Sequence, residues 1–346
     1  MSAGETDELL GSGLRRSDPT EPGIRRIRRG RGFSYHDAEG NRITDPDELR
    51  RVKDLVVPPA WRDVWICASP EGHIQACGTD DAGRRQYLYH PEWRRRSDEA
   101  KFDRTLDFAR LLPRIRARVA EHLEGRGLGR ERVLAAALRM VDLGFLRAGG
   151  AEYAEQNDSY GVATLLREHV HLTRAGAVVE FPGKAGKQQR FECAEPDVCR
   201  VLASLRRARE PGQELFAHRN GDGWHNVRSE DLNAYLREVS GEDRTVKEFR
   251  TWHATVLAAV GVAVAVPGEA DRARVEAHVV REVADHLGNT EAVARASYID
   301  PRVFRLHEEG VTVAAALAEL GEDTPPGELA TRGGVEEAVL AMLEKA

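Results

Sequence analysis

The chain is predicted to be an α+β protein: a small β-rich N-terminal domain, then a larger, mostly α-helical domain carrying an inserted β-hairpin or three-stranded sheet. Three observations lead there. Between about residues 24 and 98 the chain reads as short alternating segments broken by turn residues. Near residue 98 the apolar spacing changes to i, i+3, i+4 and stays helical to the end. One stretch within the helical half, "HVHLTRAGAVVEFPGKAGKQQRFECA", returns to strand character, with Lys184 and Lys187 at a hairpin tip.

In chain order, residues 1–22 are polar, rich in Gly, Ser, Pro and charge, and are expected to form a disordered basic tail. The β-rich domain is expected over 23–98. "RIRRGRGFSYHD" reads as a strand, "DAEGNR" as a turn, "DVWICASPEGHIQAC" as a hairpin and "RRQYLYH" as a further strand. A helix interrupts them at "DPDELRRVKDL", where Asp45 caps, Pro46 fits the first turn and Glu48 completes a capping box. The helical domain is expected over 99–320, opening with "DEAKFDRTLDFARLLPRIRARVAEHLE" and "RERVLAAALRMVDLGFLR". Residues 321–346 form an acidic tail ending in a short amphipathic helix, "GGVEEAVLAMLEKA", with solvation as its expected state.

Composition narrows the function classes. No apolar run approaches the ~20 residues that span a bilayer, and the polar N-terminus has no apolar signal core. The four cysteines (Cys67, Cys77, Cys193, Cys199) make no CxxC or Cys/His metal spacing, so free thiols in a reducing cytoplasm are expected. The net charge of −6 does not favour a polyanionic partner, but it hides an asymmetry. Residues 14–31 carry seven arginines against Asp18 and Glu21, whereas residues 307–346 carry nine acids against Arg332 and Lys345. A basic front permits nucleic acid as partner; a solvated charge run fits the same counts. Only six of the 51 basic residues are lysine. Where arginine is the habitual cation, a lysine can be there because it can lose a proton.

Four stretches could carry chemistry, and each has a plainer reading. In "RTVKEFRTWHATVLAAVGVAV", Thr245 and Glu248 suit a capping box, and Arg250 lies in the first turns, where a helix favours anions; a solvated arginine would look the same. In "RMVDLGFLRAGGAEYAEQNDSYG", Arg147 closes an apolar helix before two glycines that let backbone or ligand approach; macrodipole compensation also places arginine there. In "GRRQYLYHPEW", alternation puts Arg85, Tyr87 and Tyr89 on one face and Arg84, Gln86 and Leu88 on the other. Basic residues interleaved with tyrosines suit contact with phosphates and bases, as they suit a half-buried strand. In "HLGNTEAVARASYID", Asn289 and Tyr298 are nine apart and converge only if Gly288 ends one helix and Thr290 caps the next.

The order Arg147, hairpin Lys184, Arg250, Asn289, Tyr298 resembles that of the type IB DNA topoisomerases, in the compact bacterial and poxvirus-type group, over about residues 24–310. The family's F-R-x-G type segment is matched by "FLRAGG", F-x-G-K by "FPGK", K-x-[LF]-R-T by "KEFRT", the nucleophile segment by "GNTEAVARASY" and the N-domain strand by "RRQYLYH". The F-x-G-K match picks Lys184 over Lys187. The chain departs from the pattern at Asn289, where many members have histidine, and in the Gly-Gly-Ala after Arg147, where relatives often have Gly-Asn-Glu.

The resemblance implies a clamp around duplex DNA and relaxation of supercoils without ATP, metal or other cofactor. Tyr298 would attack a phosphodiester to form a 3′-phosphotyrosyl bond. Arg147, Arg250 and Asn289 would hold the non-bridging oxygens, and Lys184 would protonate the leaving 5′-oxygen. Arg84, Arg85, Gln86, Tyr87, Tyr89 and Tyr153 would contact DNA. A monomer at the nucleoid, with no membrane and no obligatory protein partner, is expected. Two other readings stay open at this point. Tyrosine recombinases share the catalytic order and the spacing of nine, although their second arginine sits in H-x-L-R where this chain has Lys247. A non-catalytic DNA-binding protein on the same fold is the other.

Overall fold

The arginine-rich residues 24–36 form a hairpin rather than the single strand expected. Gly30 turns it at a φ of 57°, which a side chain would strain. Strands β1 (Ile24–Arg29) and β2 (Gly32–His36) then pair from Arg29↔Gly32 to Arg25↔His36. The computed structural model of the chain describes residues 6, 9–11, 13–151, 154–155, 158–208, 212–221, 223–265, 272–319 and 333–346. The chain divides into two compact units between Asp103 and Arg104.

In the first unit, β3 (Arg62–Ile66), β4 (Ile74–Thr79) and β5 (Arg85–Tyr89) extend the hairpin into an antiparallel sheet of order β2-β1-β3-β4-β5. Its register puts Ile24, Ile66 and Ala76 in one core with Val52 of helix α1 (Pro46–Asp54), and Leu88 packs against them. Asp45 caps α1 through the amides of Asp47 and Glu48. Glu48 closes no capping box; its carboxylate turns to Arg51 at 2.7 Å. Residues Leu14–Asp18, expected in a disordered tail, are ordered instead. Leu14 and Ser17 are buried, and the Ser17 hydroxyl donates to the Ile74 carbonyl (3.0 Å) and accepts from its N–H (2.9 Å). The segment is held because it satisfies backbone groups next to β4 that a buried site cannot leave unpaired.

The second unit is built on helices. Helix α2 (Pro91–Leu123) starts at Pro91 rather than near residue 98, and the division between the units falls within it. Helix α3 (Arg130–Gly144) is stopped by Phe145, which takes a left-handed φ of 55°. Arg147, expected to close this helix, therefore stands beyond it in non-helical chain. The expected three-stranded sheet is present as β6 (Val170–Leu172), β7 (Ala177–Pro182) and β8 (Gln188–Cys193), with Lys184 and Lys187 in the β7–β8 connection. After α4 (Pro196–Arg207), a second pair, β9 (Ala217–Asn220) and β10 (Gly223–Asn226), is not expected from the sequence, because "AHRN" and "GWHN" carry no apolar alternation. Further helices follow at α5 (Ser229–Ser240), α6 (Lys247–Val264), α7 (Arg272–Leu287), α8 (Glu291–Ser297), α9 (Arg302–Glu308) and α10 (Ala314–Glu319). No helix among the described residues is long and apolar enough to cross a membrane.

The last helix, α11 (Gly334–Leu343), corrects the expectation of a solvated acidic tail. Val335, Val339 and Leu343 recur at i, i+4, i+8 and are buried in one core with Ile115, Leu138, Phe249 and Trp252. Each such side chain stabilises the fold by roughly 1.5–3 kcal/mol when buried. Its Glu336 is buried as well, and accepts from Arg116 (2.5 and 3.1 Å) and from the Trp252 indole (2.9 Å).

Arg116 also donates to both oxygens of Asp142, at 2.9 Å each. Burial alone would raise the Asp142 pKa, but His253 and Arg116 outweigh it and hold the carboxyl well below the ordinary carboxylate range. A carboxylate depressed in this way stabilises the fold above its unfolded pKa, and the contribution is lost as the pH falls through the folded value. Asp142→Asn is expected to cost about 3–5 kcal/mol at neutral pH, the range for breaking a buried ion pair. In urea titrations from pH 7 down to 2, wild type and variant should converge at the acid end; parallel curves would show that Asp142 does not titrate with unfolding.

Candidate active site

Four side chains named from the sequence meet in the second unit. Arg250 enters from the first turns of α6 and is 4% exposed, so it is no solvated surface arginine. Its Nη1 donates to the Phe145 carbonyl and its Nη2 to the Leu287 carbonyl at 2.9 Å. These two carbonyls lie at the C-terminal ends of α3 and α7, where helices leave acceptors unpaired. The α6 start has half of the expected box: the Glu248 carboxylate accepts from the Thr245 amide at 2.7 Å.

Asn289 reaches the site through the corner anticipated at Gly288. Gly288 has a φ of 60°, its N–H donates to the Asp285 carbonyl and the Asn289 N–H to the Ala284 carbonyl. This pair of bonds is the Schellman ending of α7. Thr290 then caps α8 by accepting from the Val293 amide at 3.4 Å. Arg147 Nη2 donates to Asn289 Oδ1 at 2.6 Å. Because guanidinium is donor-only, this fixes which end of the carboxamide faces Arg147. The Asn289 Nδ2 atom is left buried without a hydrogen-bond partner among the described residues. A buried donor in that state is costly unless something brings an acceptor to it.

Arg147 is held by its backbone. Its carbonyl accepts from the Val162 amide at 2.8 Å, and the Ala148 carbonyl from the Ala163 amide at 2.7 Å. A Cβ on Gly161 would lie 2.5 Å from the Gly149 nitrogen, and one on Gly149 2.9 Å from the Gly161 Cα, so Gly149 and Gly161 serve close backbone approach.

Tyr298 caps the C-terminus of α8, half-buried, with the Arg250 guanidinium carbon 5.3 Å from its ring centroid. Thr255, one residue past the next turn of α6, donates its hydroxyl to the Tyr298 carbonyl and accepts from the Asp300 amide at 3.1 Å. Burial alone would raise the Tyr298 phenol; Arg250, then Lys247 and Arg147, outweigh it and bring the pKa below its ordinary value. Burial, then the like charge of Arg147, pushes the Arg250 guanidinium down to about 10, against the pull of Tyr298. Two arginines beside one phenol are arranged for negative charge.

The hairpin lysines are placed differently. Lys184 stands exposed on the β7–β8 turn and has no hydrogen-bond or ion-pair partner among the described residues. Lys187 instead reaches the Asn289 carbonyl at 3.5 Å. Neither the contact of Thr255 with Tyr298 nor that of Lys187 with Asn289 is expected from the sequence. Thr255 carries no motif of its own, and the F-x-G-K pattern singles out Lys184 rather than Lys187.

In the first unit, β5 presents Arg85, Tyr87 and Tyr89 outward as the alternation predicts. The two tyrosines stack at 6.1 Å and are about 40% exposed, half-buried on a face that still opens to solvent, as both readings of the strand allow. Asp80 holds the residues of the other face, accepting from Arg84 Nε (3.0 Å) and Gln86 Nε2 (2.9 Å). Tyr153 lies outside the described residues.

Comparison with known proteins gives two family matches. A profile described as "Eukaryotic DNA topoisomerase I, catalytic core" matches residues 90–323, and one described as "Bacterial DNA topoisomerase IB, N-terminal domain" matches residues 32–80. The chain is similar to DNA topoisomerase 1B of Acanthamoeba polyphaga mimivirus, at 28% identity over 83% of this chain and 88% of that protein. It is also similar to DNA topoisomerase 1 of Daucus carota, at 27% over 56% of this chain and 24% of that one. DNA topoisomerase 1B of Vaccinia virus (strain Copenhagen) is 27% identical over 31% of this chain and 34% of its own length.

Proposed function

The chain belongs to the type IB DNA topoisomerases, and on that premise we propose that it relaxes supercoiled duplex DNA through a covalent Tyr298–DNA intermediate, without ATP or a metal ion. The observation that carries this reading is the meeting of Arg147, Arg250 and Asn289 beside a phenol of lowered pKa. Tyr298 attacks the scissile phosphorus and passes its proton to solvent water as the P–O bond to the 5′-oxygen breaks, and the 5′-oxygen departs with a proton from Lys184. Arg147, Arg250 and the unpartnered Asn289 Nδ2 stabilise the two non-bridging oxygens as charge builds on them. A phosphotyrosyl ester replaces a sugar phosphodiester of comparable energy, so the returning 5′-hydroxyl can reverse the step without an external energy source. While that hydroxyl is free, the duplex rotates and superhelical strain dissipates.

In this reading both units hold the duplex, as a clamp requires. Arg84, Arg85, Gln86, Tyr87 and Tyr89 contact DNA from the β-rich unit, and a contact by Tyr153 rests on the sequence resemblance. The protein acts as a monomer on nucleoid DNA in the cytoplasm. The match of residues 32–80 to a topoisomerase N-terminal domain favours this over a recombinase. The test is relaxation of negatively supercoiled plasmid in EDTA without nucleotide. Wild type should produce a ladder of relaxed topoisomers at catalytic protein-to-DNA ratios. Plasmid that stays supercoiled would sink the reading.

A further inference from the structure

One buried ionic cluster next to this site has no part in the chemistry just described. Asp142, 3% exposed, receives Arg116 at both oxygens and Arg139 Nη1 at 2.5 Å. His253 is fully buried, and its Nε2 lies 3.2 Å from Asp142 Oδ1, off the ideal hydrogen-bond direction. Arg116 in turn binds Glu336 on α11, and Glu336 takes the Trp252 indole N–H. Such a cluster is a poor way to fill a core, since apolar side chains of the same volume serve stability as well or better. It does fix one arrangement of the segments that supply it.

Those segments are the ones that carry the two arginines. Phe145 follows Asp142 by three residues and its carbonyl accepts from Arg250; Arg147 comes two residues later. His253 lies one turn beyond Arg250 on α6, and its ring meets the Phe145 ring edge-on at 4.9 Å. Asp142 thus ties the chain leading into Arg147 to the helix bearing Arg250, and α11 braces it from behind through Arg116. We propose that Asp142 and His253 are positioning residues for Arg147 and Arg250, and that Glu336 completes the brace. The proposal rests on the reading of these arginines as clamps on the phosphate. Loosening the brace lets the guanidinium forks drift from the non-bridging oxygens, which slows the chemical step while leaving DNA binding unchanged.

The experiment measures single-turnover adduct formation by the full chain on a duplex oligonucleotide with one mapped cleavage site. Each protein is assayed on an ordinary phosphodiester and on a scissile methylphosphonate, in which a charged non-bridging oxygen is replaced by a neutral methyl. Because Asp142→Asn costs stability, His253→Gln and Glu336→Gln are the primary variants. Each should slow the phosphodiester reaction by about 10-fold, and Asp142→Asn by about 100-fold, the scale of a misplaced catalytic group. All should be less impaired on the methylphosphonate, where less charge needs clamping. Equal losses on both substrates would overturn the proposal, as would wild-type rates on both. If Asp142→Asn does not fold, the other two variants decide alone. A wild-type chain that forms no adduct on either substrate would overturn the function itself, a result distinct from variants that react like an active wild type.

Discussion

Tyr298→Phe is expected to abolish relaxation and covalent DNA capture, a fall of at least on the order of 10⁴ in rate, because removing a nucleophile leaves only binding and charge stabilisation. The substitution deletes one oxygen and keeps the ring that lies over Arg250 at 5.3 Å. The backbone contacts of residue 298, to Ala294 and Thr255, do not involve the side chain. Folding and DNA affinity should therefore be preserved. Two assays check this on the same preparation: denaturing gel capture of labelled DNA, and filter binding to the uncleaved duplex. A variant that still traps DNA would move the nucleophile elsewhere, and one that loses binding as well would make Tyr298 a structural residue.

Lys184→Ala should slow cleavage by about 10²–10⁴-fold, the usual range for losing a general acid. The loss should be largely repaired on DNA with a 5′-bridging phosphorothiolate at the scissile position, since a thiolate leaves without a proton. Lys184 is exposed, whereas the neighbouring Lys187 contacts the Asn289 carbonyl, so the same pair of measurements on Lys187→Ala is the natural control. Rescue of Lys187→Ala in place of Lys184→Ala would transfer the acid by three residues along the hairpin. Rescue of neither would place the proton donor outside the hairpin.

Much of the site was legible because its residues sit in short local patterns. Gly288-Asn289-Thr290 announces a helix stop and a helix cap, and the structure has both, which is why Asn289 and Tyr298 can share a site despite their spacing. The three-stranded sheet was legible from alternation, and β5 from its interleaved arginines and tyrosines. What escaped depends on distant partners. Nothing near Leu14–Asp18 shows that Ser17 will hydrogen-bond to Ile74. Nothing in "GGVEEAVLAMLEKA" shows that Glu336 has Arg116 waiting for it in the core, so counting charge along the sequence mistakes a buried helix for a solvated one. Arg147 reads as helical in the sequence because Phe145, an apolar residue at an apolar position, gives no warning of a left-handed backbone.

The buried helix Gly334–Leu343 also bears on when during synthesis the protein can first act on DNA. Chains emerge from the ribosome N-terminal end first, and domains fold as their residues become available. Tyr298, Arg147 and Arg250 all precede this helix, so each leaves the exit tunnel before the core they depend on can close. Until this helix has emerged, Arg116 and the Trp252 indole lack Glu336, and Trp252 and Phe249 lack its apolar cover. A nascent chain exposing Tyr298 is thus still an incompletely packed unit. On the proposed mechanism, the capacity to break a DNA strand is therefore acquired late, once this helix has packed.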